Sequence, residues 1–175
     1  KTLEQYYDAN IGLMEDVTDS DVSGQKIMVD WPTTERDGYK MTEAYYNTVF
    51  NAVCVGGYGD MAKIADVLGY TEEAEHYRGL AASIRSNMIT KLYNADSGTF
   101  YDGLDARGRV VDHSAQHATV FSLAFGVYTD QAMADQMVAA IEGDGELQVS
   151  IYGVYFLLQG LYESNHGDLA RKIMS

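Results

Sequence analysis

The chain alternates between two kinds of helical segment, and this alternation limits the folds open to it more than any other feature. Segments 42–68, 114–125 and 149–162 are dominated by apolar, aromatic and small residues, as in "ATVFSLAFGV" and "SIYGVYFLLQGL". Each is followed by a segment with an apolar stripe and a charged face: "TEEAEHYRGLAASIRSNM", "DQAMADQMVAAIE" and "GDLARKIM". A helix that is apolar on most sides is buried, whereas a one-sided helix covers it. The pattern therefore predicts an inner helix followed by an outer helix, three times.

Three such repeats, joined by short turns, predict helical hairpins stacked side by side in a solenoid or a closed toroid. A helical pattern over residues 3–14 is interpreted as the outer helix of a preceding hairpin. With 175 residues, of which 46% are hydrophobic, the chain can bury the core of one domain or a large part of one. The predicted fold class is all-α.

Glycine and capping residues mark several predicted helix boundaries. Gly69 and Gly126 are expected to end helices, and Thr71 and Asp130 to cap the helices that follow. The "VGGYG" stretch could kink or interrupt the first inner helix. The run "YNADSGTFYDGLDARGRVVD" is rich in turn formers, so we expect turns and short extended pieces there.

Charge and cysteine usage exclude several functions. A formal charge of −14 disfavours binding to nucleic acid and to anionic membranes, because phosphate contacts need a basic surface. No apolar run approaches the length of a membrane span, and the chain begins at Lys1 without a signal peptide, so we interpret it as a processed or excised piece. The single Cys54 lies in apolar helical sequence and is expected to be a buried thiol. Neutral substrates fit this composition better.

The long connections predict the position of a site. They lead from each outer helix to the next inner one: "EDVTDSDVSGQKIMVDWPTTERDGYKM", "YNADSGTFYDGLDARGRVVDHSAQ" and "EGDGELQV". All three should lie on one rim, at the amino ends of the inner helices, and converge there. They carry candidate site residues of every polar class beside the only tryptophan of the chain: Asp30, Trp31, Arg36, Asp37, Asp112, His113, His117, Glu146, Gln148 and Tyr152. An aromatic platform beside carboxylates, imidazoles and amides suits a sugar ring, whose face stacks while its rim forms hydrogen bonds.

Several segments together resemble a known family. "MVDWP", "RDGYK", "NTVFNAV", "LYNADSGTFYDG", "SAQHATVFSLAFGV", "SIYGVYFLLQGLYE" and "DLARKIM" resemble the catalytic barrel of bacterial α-L-rhamnosidases, in the order that family shows them. The resemblance implies an (α/α)6 toroid and inverting hydrolysis of terminal α-L-rhamnose. It implies that the Asp–Trp loop lines the sugar pocket, with Asp30 and Trp31 as sugar contacts and His117 and Tyr152 at the pocket floor. Arg36 and Asp37 of the same loop are further candidates for substrate binding.

The chain departs from the family pattern in its catalytic motifs. The family's general acid lies in an earlier acidic loop and its general base in a later glutamate-bearing loop, and neither motif is present here. Residues 1–175 carry about seven predicted helices against the twelve of a complete barrel. We therefore expect one incomplete toroid domain, its middle-to-late portion, which binds the rest of its parent polypeptide and is inactive alone. The catalytic residues are unknown, no cofactor or metal is expected, and an extracellular or periplasmic location is expected.

Structural alternatives remain open for each candidate residue. Trp31 could instead anchor its loop on the toroid, and Asp30 could cap a turn. His113 and His117 lie four apart, a spacing that two zinc ligands on one helical face would have, yet no third ligand is evident. His117 could be a satisfied polar residue within the bundle, and Tyr152 could be core packing. Residues 35–37 could form a solvated turn with a local ion pair.

Two other functions remain open as well. The same toroid could carry another exo-glycosidase or a glycoside phosphorylase, because the fold does not determine the chemistry. A non-catalytic helical-repeat module would instead bind protein on its concave surface.

Overall fold

The computed structural model describes residues 3–17, 27–31 and 33–175. Residues 18–26 and Pro32, which the sequence interpretation assigns to the first connection, lie outside the described residues. The described part contains these α-helices: α1 (Thr48–Leu68), α2 (Thr71–Leu92), α3 (Gln116–Ala124), α4 (Gln131–Gly143), α5 (Ile151–Glu163) and α6 (Gly167–Ile173). Its short strands are β1 (Tyr7–Asp8), β2 (Leu13–Met14), β3 (Tyr46–Asn47), β4 (Tyr93–Asn94), β5 (Thr99–Phe100) and β6 (Gly103–Leu104).

The helices form hairpins arranged as part of an α/α toroid, one of the two arrangements that the alternation predicted and the one that the family resemblance implied. α1 packs along α2, α3 lies against both α1 and α5, and α5 packs on α6. All nine residues of α3 are buried, so α3 is the centre of the described arc. None of the described helices has the length and hydropathy needed to cross a bilayer.

Local capping chemistry explains most helix boundaries. The Asn47 side chain accepts a hydrogen bond from the backbone N–H of Phe50 at the start of α1, and α1 ends at Gly69, which has a left-handed conformation (φ 79°). The Asp130 side chain caps α4 in the same way. The prediction that Thr71 caps α2 was wrong by one position, because Tyr70 occupies the cap position and Thr71 is the first helical residue.

The glycine-rich stretch does not interrupt α1. Gly56 lies where α1 meets the end of α3, and a Cβ atom on it would lie 2.3 Å from the ring of Phe125. The glycine therefore permits close helix packing in a continuous helix. The beginning of this helix was also predicted too early, because Tyr46 and Asn47 pair with Leu104 and Gly103 as strands before the helix starts.

The predicted helix over residues 3–14 is absent. A 3-10 turn (Leu3–Tyr6) leads into a hairpin of β1 and β2, in which Tyr7 pairs with Met14. Gly12 in the turn has a φ of 78°, which a right-handed helix does not allow. The buried amide of Asn51 then fixes the hairpin, since it accepts a hydrogen bond from the N–H of Met14 and donates one to its carbonyl.

The predicted burial of α5 on most sides was also wrong. Ile151 is 88% exposed and Tyr155 is 65% exposed, while the buried residues are confined to the side that faces α3 and α6. The connection after α2 matches its prediction: β4 pairs with β5, and β6 returns to β3.

Candidate active site

The three long connections meet at the first turn of α3, as predicted. Gln116 is the first residue of α3. Its backbone N–H donates a hydrogen bond to the carboxylate of Asp37, from the first connection, at 2.7 Å. The Gln116 side chain reaches the third connection. Its amide nitrogen donates to the Asp144 carboxylate (3.0 Å) and to the Glu146 carbonyl (3.2 Å), and its oxygen accepts from the N–H of Gln148 (2.9 Å). Gln116 thus joins the first connection, through its backbone N–H, to the third connection, through its side chain.

A buried carboxylate beside Gln116 makes a second link, which we call the Asp30 junction (Asp30, Trp31, His117 and Ser150). Oδ1 of Asp30 accepts hydrogen bonds from the N–H of Trp31 (2.7 Å) and from the hydroxyl of Ser150. Oδ2 accepts from the N–H of Ser150 (2.9 Å) and from Nε2 of His117 (2.8 Å). Asp30 and His117 are both 0% exposed. Four donors from three parts of the chain therefore surround one carboxylate.

Hydrogen bonding keeps the Asp30 carboxylate ionised. Burial tends to raise its pKa, but the hydrogen bonds from Ser150, His117 and the backbone of Trp31 outweigh that effect and hold the pKa below its ordinary value. With all four donors supplied by the protein, a sugar hydroxyl could bind Asp30 only by displacing one of them. The geometry therefore favours Asp30 and His117 as buried residues that support the site. A direct contact of either residue with the sugar stays a prediction.

Trp31 stands at the surface above this junction. Its side chain is 72% exposed, and it makes none of the ring contacts found among the described residues. It is not wedged between helices, so the alternative of a buried hydrophobic anchor does not describe it. A large exposed ring whose backbone is fixed by a buried carboxylate is available for stacking on a ligand.

Arg36 and Asp37 hold the first connection in place rather than forming a loose solvated turn. Arg36 Nε donates to the backbone carbonyl of Asp30 at 2.8 Å. Asp37 adopts a left-handed conformation (φ 49°), in which its carboxylate caps the first turn of α3. Both side chains are partly exposed and border the same rim.

Tyr152 brings a second aromatic ring to the rim, from the first turn of α5. Its ring is 40% exposed and packs on Phe121 and Phe156, with centroid separations of 6.2 Å and 5.2 Å. Burial, and then the charge of Asp30, raise the pKa of Tyr152, so the phenol stays neutral. Core packing and an exposed ring surface therefore coexist in this residue.

A second buried carboxylate, Asp102, lies beside the start of α3, and we call its contacts the Asp102 junction (Asp102, Lys40, His113 and Ala115). Asp102 accepts hydrogen bonds from the N–H of Ala115 (2.7 Å), the N–H of Lys40 (2.8 Å) and Nδ1 of His113 (2.7 Å). Burial raises the pKa of Asp102 above its ordinary value, against the opposing effect of these bonds. This junction joins the first and second connections.

The two predicted histidines serve different junctions. His113 binds Asp102 and His117 binds Asp30, so the pair does not converge on a shared ligand position. Across residues 3–17, 27–31 and 33–175, no group of three or more histidine, cysteine or acidic side chains is placed to hold a metal ion. Cys54 is buried, and burial raises the pKa of its thiol to about 12.

Sequence reasoning missed Ser150 and the amide of Gln116. Ser150 caps α5 through a hydrogen bond from the Tyr152 N–H, while its hydroxyl also donates to Asp30. Its position directly before an apolar helix was a usable capping signal. The contacts of Gln116 had no comparable signal, because they depend on residues about thirty positions further on.

The family model of the bacterial α-L-rhamnosidase six-hairpin glycosidase domain matches residues 1–175. The chain belongs to this rhamnosidase family. Among curated proteins, none matches the chain.

Two solved rhamnosidases have the same fold as this family member. A rhamnosidase from Klebsiella oxytoca with rhamnose bound superposes with a TM-score of 0.70 at 15% identity, over 97% of this chain and 29% of that one. A GH78 family rhamnosidase of Bacillus sp. GL1 gives a TM-score of 0.73 at 17% identity, over 98% of this chain and 17% of that one. The chain therefore spans less than a third of the length of either relative, and at these identities the likeness shows the toroid fold.

Proposed function

We propose that the full-length protein containing this chain hydrolyses terminal α-L-rhamnosides with inversion, and that this chain forms one wall of the sugar site. The observation that carries the proposal is the exposed ring of Trp31 at the meeting point of three connections. Membership of the rhamnosidase family and the likeness to a relative with bound rhamnose support it.

The proposed site uses the exposed rim residues for contact and the buried ones for support. Trp31 stacks on the apolar face of the sugar, and the neutral phenol of Tyr152 offers a hydrogen bond and a second ring. Arg36 and Asp37 border the ring's hydroxyl groups. Sugar rings combine an apolar face with a polar edge, so a wall of this composition suits them.

The proposed mechanism needs two carboxyl groups roughly 6.5–9.5 Å apart, one to protonate the leaving oxygen and one to activate water. Asp30 is unsuited to either task, because protein donors occupy both of its oxygens. Asp102 is buried and bonded in the same manner. Because the acid and base motifs that the family resemblance implies are also missing from this sequence, we propose that both groups lie on other segments of the full-length protein.

Hydrolysis assays on the full-length protein test this proposal. We expect release of nitrophenol from nitrophenyl α-L-rhamnoside, and proton NMR of the first product should show the inverted anomer. Release of fucose or glucose without rhamnose would indicate a different six-hairpin glycosidase, and a strict need for phosphate would indicate a phosphorylase. Binding of a protein ligand with no effect of any sugar would indicate an interaction module.

Trp31→Ala in the same protein tests the sugar wall. Loss of the stacking ring should weaken rhamnose binding by roughly 1–3 kcal/mol. Tyr162→Ala is a matched control, because Tyr162 is also an exposed aromatic but lies at the far end of α5 from Ser150. Isothermal titration with rhamnose should separate the two variants, and equal affinities would count against the role of Trp31.

A further inference from the structure

The Asp30 junction connects the backbones of two exposed aromatic residues to a single carboxylate. Oδ1 of Asp30 accepts the N–H of Trp31 directly. The same oxygen accepts the hydroxyl of Ser150, and that hydroxyl in turn accepts the N–H of Tyr152 at 3.1 Å. Trp31 and Tyr152 are 72% and 40% exposed, whereas the carboxylate between their backbones is fully buried. One buried carboxylate thus fixes the backbone N–H groups of two residues whose rings are exposed, Trp31 directly and Tyr152 through Ser150.

The surroundings of Asp30 leave it little freedom to move. His117 fixes Oδ2 from α3, and Arg36 fixes the backbone carbonyl of Asp30 from within the first connection. Gly153 of α5 lies so close that a Cβ atom on it would be 3.1 Å from Oδ2. A carboxylate held by two helices and a loop transmits its position to what it binds.

His117 supports this arrangement as a hydrogen-bond donor from α3. Its Nε2 faces Asp30, while Nδ1 is buried and has no hydrogen-bond partner among the described residues. The Asp30 carboxylate is therefore held by directed hydrogen bonds, whose geometry fixes its orientation.

We propose that Asp30 is a positioning residue that sets the placement of Trp31 and Tyr152 for sugar binding without touching the sugar. The inference rests on the proposed function for its sugar, but the link from Asp30 to Trp31 stands on the geometry of the junction. It differs from a purely structural role, because it predicts that loss of Asp30 acts on sugar binding through Trp31.

The first test compares Asp30→Asn, Trp31→Ala and the double variant in the full-length protein, with nitrophenyl α-L-rhamnoside as substrate. A smaller folded fraction lowers the apparent kcat but leaves KM unchanged, so KM reports positioning. We expect Asp30→Asn to raise KM roughly fivefold or more, and Trp31→Ala by about 5- to 150-fold. On the Trp31→Ala background, Asp30→Asn should change KM less than about twofold, since its effect passes through the missing ring.

Asp102→Asn is the matched control. Asp102 is equally buried and also binds a histidine and backbone N–H groups, but none of its donors belongs to Trp31, Ser150 or Tyr152. It should lower stability and leave KM within about twofold of the original value. A KM change in the Asp30 variant that equals the control's, or that persists undiminished without Trp31, would overturn the proposal.

The second test needs no sugar and separates this inference from the proposed function. Full-length protein labelled with 5-fluorotryptophan gives a ¹⁹F resonance for Trp31, identified by its loss in Trp31→Phe. Asp30→Asn should shift or broaden that resonance, and Asp102→Asn should not. If the unaltered protein ignores rhamnosides while the resonance responds to Asp30, the proposed function fails and the positioning role stands.

Ser150→Ala keeps the inference testable if Asp30→Asn does not fold. It removes only the hydroxyl that links Asp30 to the Tyr152 N–H. We expect a raised KM and a perturbed Trp31 resonance with the protein still folded. An unchanged KM together with an unchanged resonance in this variant would overturn the positioning role.

Discussion

The Asp30 and Asp102 junctions are built from similar chemical groups, yet they differ in the segments that they join and in the direction of the carboxylate's pKa shift. Each is a fully buried carboxylate that binds an imidazole and backbone N–H groups beside the first turn of α3. Asp30 has a fourth donor, the hydroxyl of Ser150, and its pKa is lowered despite burial. Asp102 has three donors, and burial raises its pKa. Hydrogen bonds therefore outweigh burial in setting the pKa of Asp30, whereas burial outweighs the hydrogen bonds at Asp102.

The two junctions also differ in what they hold. Asp102 fastens the strand-rich second connection to the end of the first, through Lys40 and His113. Asp30 joins the first connection to α3 and to α5. Of the two junctions, only the Asp30 junction bonds the backbone of an exposed aromatic residue, Trp31, and it reaches Tyr152 through Ser150, so it lies under the proposed sugar wall. The Asp102 junction is the structural reference against which that role can be judged.

Removal of either carboxylate should give the largest effect. Asp30→Ala and Asp102→Ala should each lower the free energy of unfolding by about 3–5 kcal/mol, because several buried donors lose their acceptor. Urea denaturation of the full-length protein would measure the loss. Amide exchange should rise at Ser150 and Tyr152 in the Asp30 variant alone. Similar exchange at these amides in both variants would remove the distinction between the junctions.

The histidines should differ more than the carboxylates. His117 is fully buried and His113 is about one-third exposed, so water can replace the lost donor only at His113. We expect His117→Ala to cost about 2–4 kcal/mol of unfolding free energy and His113→Ala about 1 kcal/mol. The same denaturation experiment compares them. A larger loss for His113 would mean that the Asp102 junction is the more tightly coupled of the two.

Gly153 tests how closely α5 approaches the Asp30 junction. A Cβ atom there would lie 2.7 Å from Cβ of Val149 and 3.1 Å from Oδ2 of Asp30, so Gly153→Ala should cost about 1–2 kcal/mol through overpacking. Gly57→Ala is the control, since a Cβ there meets nothing within 4 Å. That variant should gain about 0.5–1 kcal/mol from helix propensity. Thermal unfolding of both would show opposite signs, and a stabilising Gly153→Ala would contradict the close approach.

The smallest expected effect is a difference in pH dependence. The pKa of Asp30 is lowered in the folded state. Its contribution to the free energy of unfolding is therefore present above about pH 4 and is lost as the pH falls through the folded pKa. The pKa of Asp102 is raised in the folded state. Its contribution to the free energy of unfolding is therefore present below about pH 4 and is lost as the pH rises through the folded pKa. The cost of Asp30→Asn should therefore shrink between pH 7 and pH 3, and that of Asp102→Asn should grow. Parallel pH profiles would show that the two carboxylates share one environment.

Local patterns predicted most helices, because periodicity and capping act over a few residues. Gly69 ends α1 and Asp130 opens α4 where the sequence indicated. The same reasoning failed over residues 3–14, where Gly12 turns the chain back and the buried amide of Asn51, 37 residues away from Met14, holds the hairpin. Periodicity alone did not reveal that distant contact.

The sequence predicted where the rim lies, but it did not predict the hydrogen bonds between the residues of the rim. The order of inner and outer helices indicated that the three connections share an edge. The partners of Asp30 lie 87 and 120 residues away at His117 and Ser150, and nothing near Asp30 in the chain specifies them. A carboxylate beside a tryptophan suggested a sugar contact, which stays a prediction, but the sequence did not indicate that Asp30 is buried and bonded to His117 and Ser150.

A crystal structure of the full-length protein soaked with L-rhamnose tests the central claim most directly. We expect the sugar to stack in van der Waals contact on the ring of Trp31, beside Tyr152, with Asp30 still bonded to Ser150 and His117 beneath it. Rhamnose bound elsewhere in the protein, with the Trp31 ring in solvent, would contradict the claim that these three connections form its site.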